Sequence, residues 1–233
     1  MNYQWYPGHM TKAKRMMEEN IKLIDLVIEI VDARIPISSR NPDIDSLAVN
    51  KARIILLNKS DLADDKITNQ WINYFNENNI YCLKLNSRNN SGIKQVNGLI
   101  MTACADKIER NKQRGILNRP IRAMVVGIPN VGKSTFINSY AGKASAKTGN
   151  KGKQWIKLNK NVELLDTPGI LWPKFDNQEV GKRLAMIGSM NDEILNVEEL
   201  AIDTIKYIYS EYSDNVIERY GLDKEKTAAS YDE

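Results

Sequence analysis

Residues 127–134 read GIPNVGKS and follow the apolar run IRAMVVG, so a phosphate-cradling loop between a strand and a helix constrains this chain more than any other feature. Gly127 and Gly132 let backbone N–H groups turn toward phosphate oxygens, Lys133 reaches the β and γ oxygens, and Ser134 can offer its hydroxyl oxygen to Mg²⁺. Asn130, Val131 and Thr135 complete the loop and the first helical turn. Such a loop sits at the C-terminal end of a strand in a parallel sheet, and the sequence supplies the strands. Apolar, β-branched runs occupy residues 23–33, 52–58, 80–86, 121–127 and 162–166, with helical candidates near 11–22, 66–78, 91–112 and 133–141. This alternation predicts an α/β fold with a doubly wound, mostly parallel sheet whose ligand residues lie past the strand ends.

Two further motifs lie at such ends. LLDTPG, residues 164–169, puts Asp166 where it can hold Mg²⁺ through its water shell and aims the Gly169 amide at a γ-phosphate. The phosphate loop alone suits an ATPase or a nucleotide kinase as well; DTPG favours a GTPase. NKSD, residues 58–61, then supplies a base reader: Asp61 accepts from guanine N1–H and N2–H₂, Asn58 bonds the O6/N7 side, and the Lys59 stem lies across the ring. Ser60 stands between them, and Asn86 and Ser87 follow the third strand, placed for backbone contacts to the base. Adenine lacks the 2-amino donor and would leave the carboxylate unpaired. The alternative is an ordinary surface Asn-Lys turn, which would leave room for an ATP-using phosphotransferase. The base-reading motif precedes the phosphate loop by about seventy residues, the reverse of the ordinary order, and the basic segment 107–122 would join the two halves.

With 233 residues, 42% of them hydrophobic, a sizeable core is available, and no apolar run approaches the ~18 residues a membrane span needs. The N-terminus lacks a secretory apolar segment, so a cytoplasmic protein with reduced, buried Cys82 and Cys104 is expected. The net charge of +4 hides a gradient. Residues 176–233 carry 6 basic and 14 acidic side chains against 27 and 15 before them. A basic body facing a polyanion and an acidic helical tail account for this; so do two solvated faces. The expected organisation is a nucleotide-binding domain over residues 1–175 and a small helical domain over residues 176–233.

QWYPGHMTKAKR at residues 4–15, LIDLVIEIVDARIPISSRNP, LLNKSD, GIPNVGKST and ELLDTPGILWPKF together resemble the circularly permuted ribosome-assembly GTPases of the ribosome biogenesis GTPase A, or YlqF, type. The resemblance runs from residue 4 to about 175 and continues weakly to ERYGL at 218–222. It implies a circularly permuted P-loop GTPase acting as a monomer with GTP and GDP in late assembly of the large ribosomal subunit. The implied partners are the subunit precursor and its rRNA, and slow GTP hydrolysis is accelerated on the particle. A GTP-binding switch module with little or no hydrolysis is the alternative. Ile170 stands where many GTPases place a water-orienting Gln. The resemblance offers His9 as a catalytic group; a lone His beside Trp5 and Tyr6 is equally a packing or capping residue. Asn130 resembles a residue that helps seat K⁺ against the phosphates, and a turn-forming Asn fits the same position.

The chain departs from the family in two places. The threonine pair that closes on Mg²⁺ is missing from the segment AKTGNKGKQWIKL at 146–158, where Thr148 is the nearest substitute. Relatives also extend past ERYGL through further helices, so part of the RNA-binding appendage is expected to be absent.

Overall fold

The computed structural model describes residues 8–142, 155–172, 175, 177–191 and 195–223, with His9 as backbone only. The His9 side chain and Thr148 therefore lie outside the described residues.

Six strands form one sheet in the order β3-β2-β1-β4-β6-β5. Strands β1 (Leu26–Asp32), β2 (Ala52–Asn58) and β3 (Tyr81–Lys84) make one half, and β4 (Ile121–Val126), β5 (Trp155–Lys157) and β6 (Val162–Asp166) the other. All pairs are parallel except β5 with β6. Every residue of β1 is buried, as expected for a strand covered on both faces. The β1–β2 register aligns Asp32 with Asn58, and β1 runs parallel to β4 with Glu29 opposite Val126, so the two halves of the sheet meet with their ligand-bearing ends on one side. The fold is a circularly permuted α/β P-loop domain: the strands that carry base-reading residues come first in the chain and the phosphate-loop strand β4 abuts β1 in the middle.

Helices α1 (Gly8–Asn20), α3 (Asp65–Glu77) and α6 (Lys133–Ala141) follow the sequence pattern, and three differences have local causes. The single helix expected over 91–112 is two, α4 (Ile93–Ala103) and α5 (Ala105–Gln113). Cys104 leaves helical geometry at φ −104°, ψ 10° while its thiol stays buried. The short α2 (Asp43–Leu47) went unrecognised because five residues carry too little periodicity. Strand β5 has three residues and one neighbour, below what an apolar run reveals.

Helices α7 (Gln178–Met186) and α8 (Val197–Tyr220) follow β6 among the described residues. Asn177 and Asn196 cap them, their side chains accepting from Glu179 N and Glu199 N. Leu184, Ala185 and Met190 are buried in the same core as the sheet, so α7 belongs to the packing of the main body. Helix α8 has no buried residue and kinks at Tyr212; Lys182 pairs with Asp203 at 2.6 Å to hold it on α7. Cys82 and Cys104 are free and buried, and burial raises both thiols to about 12. No described helix is long and apolar enough to cross a membrane.

Candidate functional site

The phosphate loop is built by close approach. A Cβ on Gly127 would lie 2.6 Å from the Ile30 carbonyl oxygen, and one on Gly132 (φ +95°) would collide with the Asn58 side-chain nitrogen. Gly169 of DTPG sits against the same loop, where a Cβ would lie 2.9 Å from Pro129 N and 3.1 Å from Lys133 Nζ. Only glycine permits these contacts, so the three glycines draw strands β1, β2, β4 and β6 into one concave site.

Lys133 opens α6 and is only 9% exposed; its ammonium donates to the Ile128 carbonyl at 3.3 Å. Burial lowers its pKa from 10.5 to about 8, with the Asp166 charge opposing. Asp166 is pushed up, chiefly by burial, against the lowering effects of Lys133 and the Thr167 backbone. Its Oδ1 is buried without a hydrogen-bond partner among the described residues. An orphaned carboxylate oxygen at the C-terminal end of β6, with the exposed Ser134 in the first turn of α6, fits a hard, oxygen-seeking cation with a water shell and bound phosphate, which is how Mg²⁺ is held. Thr167 Oγ1 donates to the Val125 carbonyl at 2.7 Å, Ile170 N donates to Gly127 O at 3.3 Å, and the Ile170 side chain is buried in the core.

Asn58 joins the two halves. Its amide nitrogen donates to the Val131 carbonyl at 2.9 Å, and its oxygen accepts from Ser87 N at 3.0 Å and Ser87 Oγ at 2.9 Å. It is 3% exposed, so this carboxamide is first a clamp between phosphate loop and Ser87 loop, with one amide hydrogen left for a base. The Ser87 carbonyl in turn accepts from Ser139 Oγ on α6. Ser60 is not among the residues that line the cleft described below; its N–H donates to Leu85 O at 3.2 Å. Asn86 caps its own turn, its oxygen accepting from Arg88 N at 2.8 Å.

A cleft of about 360 Å³ is lined by Asn58, Lys59, Asp61, Asn86, Ser87, Asn130, Gly132 and Thr135, together with Leu62 and Arg88. The structure thus brings the early and late motifs to one cavity. Asn130, left-handed at φ +59°, donates its amide to the Gly188 carbonyl at 2.6 Å, tying the phosphate loop to the turn after α7.

One cluster was not singled out by its chemistry in the sequence. Asp32, fully buried, receives two hydrogen bonds from Arg34 at 2.8 Å and the Lys59 ammonium at 3.1 Å. Burial alone would raise the Asp32 carboxyl, but hydrogen bonds and charges from Arg34 and Lys59 hold it below the ordinary value. This anchors Lys59, itself left-handed at φ +59°, beside the cleft. Both Asp32 and Arg34 lie in IVDAR, whose charged pair after an all-apolar strand was the available signal. Asn41 of the following loop donates to Ile170 O at 3.4 Å, linking it to the DTPG turn.

Comparison with known proteins places this geometry. The model of a family described as 50S ribosome-binding GTPase matches residues 122–228. Ribosome biogenesis GTPase A of Bacillus cereus is 48% identical over 229 residues, covering 96% of this chain and 77% of that protein. The namesake from Priestia megaterium is 48% identical over 230 residues, covering 96% and 80%. The crystal structure of GNP-bound YlqF from T. maritima superposes with a TM-score of 0.64 at 28% identity, covering 91% of this chain and 85% of that one. A permuted P-loop domain with this degree of likeness along nearly its whole length belongs to the ribosome biogenesis GTPase A family, and the chain is a GTP hydrolase that takes part in ribosome biogenesis.

Proposed function

We propose that the chain binds GTP through the cleft shared by NKSD and the phosphate loop, and hydrolyses it during late assembly of the large ribosomal subunit in the cytoplasm. Docking on the subunit precursor and its rRNA is set by the nucleotide. The observation that carries this reading is the Asn58 clamp, because it makes the loop bearing Asp61 and the loop bearing Gly132 walls of one cavity. The 50S-binding description of the matching family and the names of the relatives support the partner.

In this reading Asp61 takes both guanine donors, Lys59 covers the ring while Asp32 holds its ammonium, and Asn58 gives its remaining hydrogen to the base edge. Asn86, Ser87 and Ser60 shape the backbone around the base. Lys133, with the N–H groups of Val131 to Thr135, holds the phosphates, and the Gly169 amide faces the γ-phosphate. Ser134 and Asp166 would hold Mg²⁺, which when bound supplies positive charge to the β and γ oxygens. Asn130 keeps its carboxamide oxygen for K⁺ while its nitrogen is engaged by Gly188. Residues 1–175 form the nucleotide-binding domain and residues 176–233 a helical appendage whose first helix, α7, packs into that domain's core.

Because the Ile170 side chain is buried and apolar, no group there orients water, and the unstimulated reaction is slow. His9 supplies the missing positioning on the particle. Phosphate release should therefore rise when large ribosomal subunits are added. His9→Ala should cut the stimulated rate at least ~10-fold with GTP affinity unchanged, the pattern of a transition-state interaction. Replacing K⁺ by Na⁺ should also slow release. Equal stimulated rates for the two proteins would remove His9 from the mechanism, and equal rates in the two salts would remove K⁺.

The depressed Lys133 pKa predicts a pH dependence. Bound phosphates favour the protonated ammonium, so above about pH 8 binding must take up a proton that the free lysine has lost. GTP affinity should be flat below pH 8 and then fall, approaching about tenfold per pH unit. Calorimetric titrations in buffers of different ionisation enthalpy should show net proton uptake at pH 9. Affinity that stays constant from pH 7 to 9.5 would contradict the assignment.

A further inference from the structure

The strands of the sheet have two ends, and only one carries the nucleotide cleft. At the other end, residues 105–122, comprising α5, the turn after it and the start of β4, form the covalent bridge between the base-reading and phosphate-holding halves. This bridge carries Lys107, Arg110, Lys112, Arg114, Arg119 and Arg122 against Asp106 and Glu109 alone. Residues 112–119 are exposed without exception. They are nonetheless conformationally defined: Gly115 at φ +70° ends α5, Gly115 N donates to Lys112 O at 3.0 Å, and Ile116 N donates to Asn111 O at 2.9 Å. Those two bonds make a Schellman cap, which fixes the direction in which the turn leaves the helix.

The cations fall into two groups. Lys107 and Arg119 face the buried Asp25 carboxylate at 3.3 and 3.6 Å, so that acid is already compensated. A polar cavity of about 390 Å³ beside it is lined by Lys51, Lys107 and Arg110 together with Asp25 and Asp106, so its charges are largely balanced. Lys112 and Arg114, by contrast, meet no carboxylate among the described residues. Helix α5 and its cap thus project cations past a neutralised base, at a distance of about 20 Å along β4 from the phosphate loop.

We propose that this bridge, centred on Lys112 and Arg114 with Arg110 at its flank, is a contact surface for the phosphodiester backbone of ribosomal RNA, separate from the nucleotide cleft. The inference rests on the ribosomal reading above and identifies where the basic body meets the particle. A phosphodiester chain is the occupant that fits: the surface offers spaced positive charges on a fixed scaffold and no aromatic platform for unpaired bases, which selects the backbone of helical RNA. A backbone contact of this kind is governed by counterion release and therefore by salt.

The test compares the unmodified chain with Lys112→Glu/Arg114→Glu, binding to purified large ribosomal subunits and to protein-free large-subunit rRNA, each with GTP and Mg²⁺ over a salt series. Lys66→Glu/Lys94→Glu, a double reversal at exposed lysines on α3 and α4, is the charge-matched control. The Lys112→Glu/Arg114→Glu variant should lose at least ~10-fold in affinity for both probes at moderate salt, and its slope of log K against log salt should become shallower by about 1.5 to 2. Its GTP affinity and unstimulated hydrolysis should match those of the unmodified chain. Lys112→Arg/Arg114→Lys should bind as the unmodified chain does. Undiminished binding by the Lys112→Glu/Arg114→Glu variant, or a loss no larger than that of Lys66→Glu/Lys94→Glu, would overturn the surface. Loss on subunits with full retention on bare rRNA would also overturn it, assigning the bridge to a ribosomal protein. Failure of the unmodified chain to bind either probe would instead refute the ribosomal reading itself.

Discussion

Replacing Asn58 by alanine should cost the protein both stability and nucleotide. The side chain makes three hydrogen bonds among two loops and its own strand end, and all of its partners are buried at that point. Alanine leaves the Val131 carbonyl and the Ser87 N–H without partners, at about 1 to 3 kcal/mol for each orphaned group. The expected loss is about 3 kcal/mol, which for a chain of this size lowers the thermal midpoint by roughly 10 °C. Phosphate and base loops would then be uncoupled, so GTP and GDP affinities should fall together by at least ~100-fold, and added GDP should restore little of the midpoint. Ser87→Ala removes one of the three bonds and should show a much smaller loss. A melting curve for Asn58→Ala that overlays the unmodified one would show that the clamp is not what joins the halves.

Asp61→Asn should change which base is bound. The carboxylate lies exposed at the cleft, beside the positive field of Arg34, and two guanine donors need it as acceptor. An amide cannot accept from both, so GTP affinity should fall about 100-fold or more, the scale set by two hydrogen bonds to a charged group. Xanthine carries a 2-oxo group that suits the amide donor, and xanthosine triphosphate should become the better ligand. Fluorescent-nucleotide competition with GTP, xanthosine triphosphate and ATP reads this directly. ATP competing as well as GTP against the unmodified chain would refute guanine reading altogether.

Much of this architecture was visible before any coordinates. Four of the five expected strands overlap β1, β2, β4 and β6 closely because each is a buried run with few polar interruptions, and β3 is a trimmed version of the fifth. The motifs were legible because phosphate and base recognition demand particular residues at fixed spacing. What escaped depends on distance in sequence. Asn58 and Val131 are 73 residues apart, so nothing local discloses that the base-reading asparagine spends most of its hydrogen-bonding capacity as a clamp. Asn130 and Gly188 are 58 apart, and their bond ties the phosphate loop to a segment read as a separate appendage. The burial of Leu184 and Ala185 beside the sheet is of the same kind: α7 has an ordinary amphipathic pattern, which states that a face is buried and not what it is buried against. The Asp32, Arg34 and Lys59 cluster brings residues from the ends of adjacent strands together through the β1–β2 register, which only the paired sheet supplies.

The central claim is that nucleotide state in this cleft governs docking on the large ribosomal subunit. Co-sedimentation of the chain with purified large subunits, in a non-hydrolysable GTP analogue, in GDP and without nucleotide, tests it most directly. The account predicts retention on the particle with the analogue and at least ~10-fold weaker association in the other two conditions, a differential affinity that the nucleotide must supply if it is the switch. Equal association in all three, or none with the analogue, would contradict it.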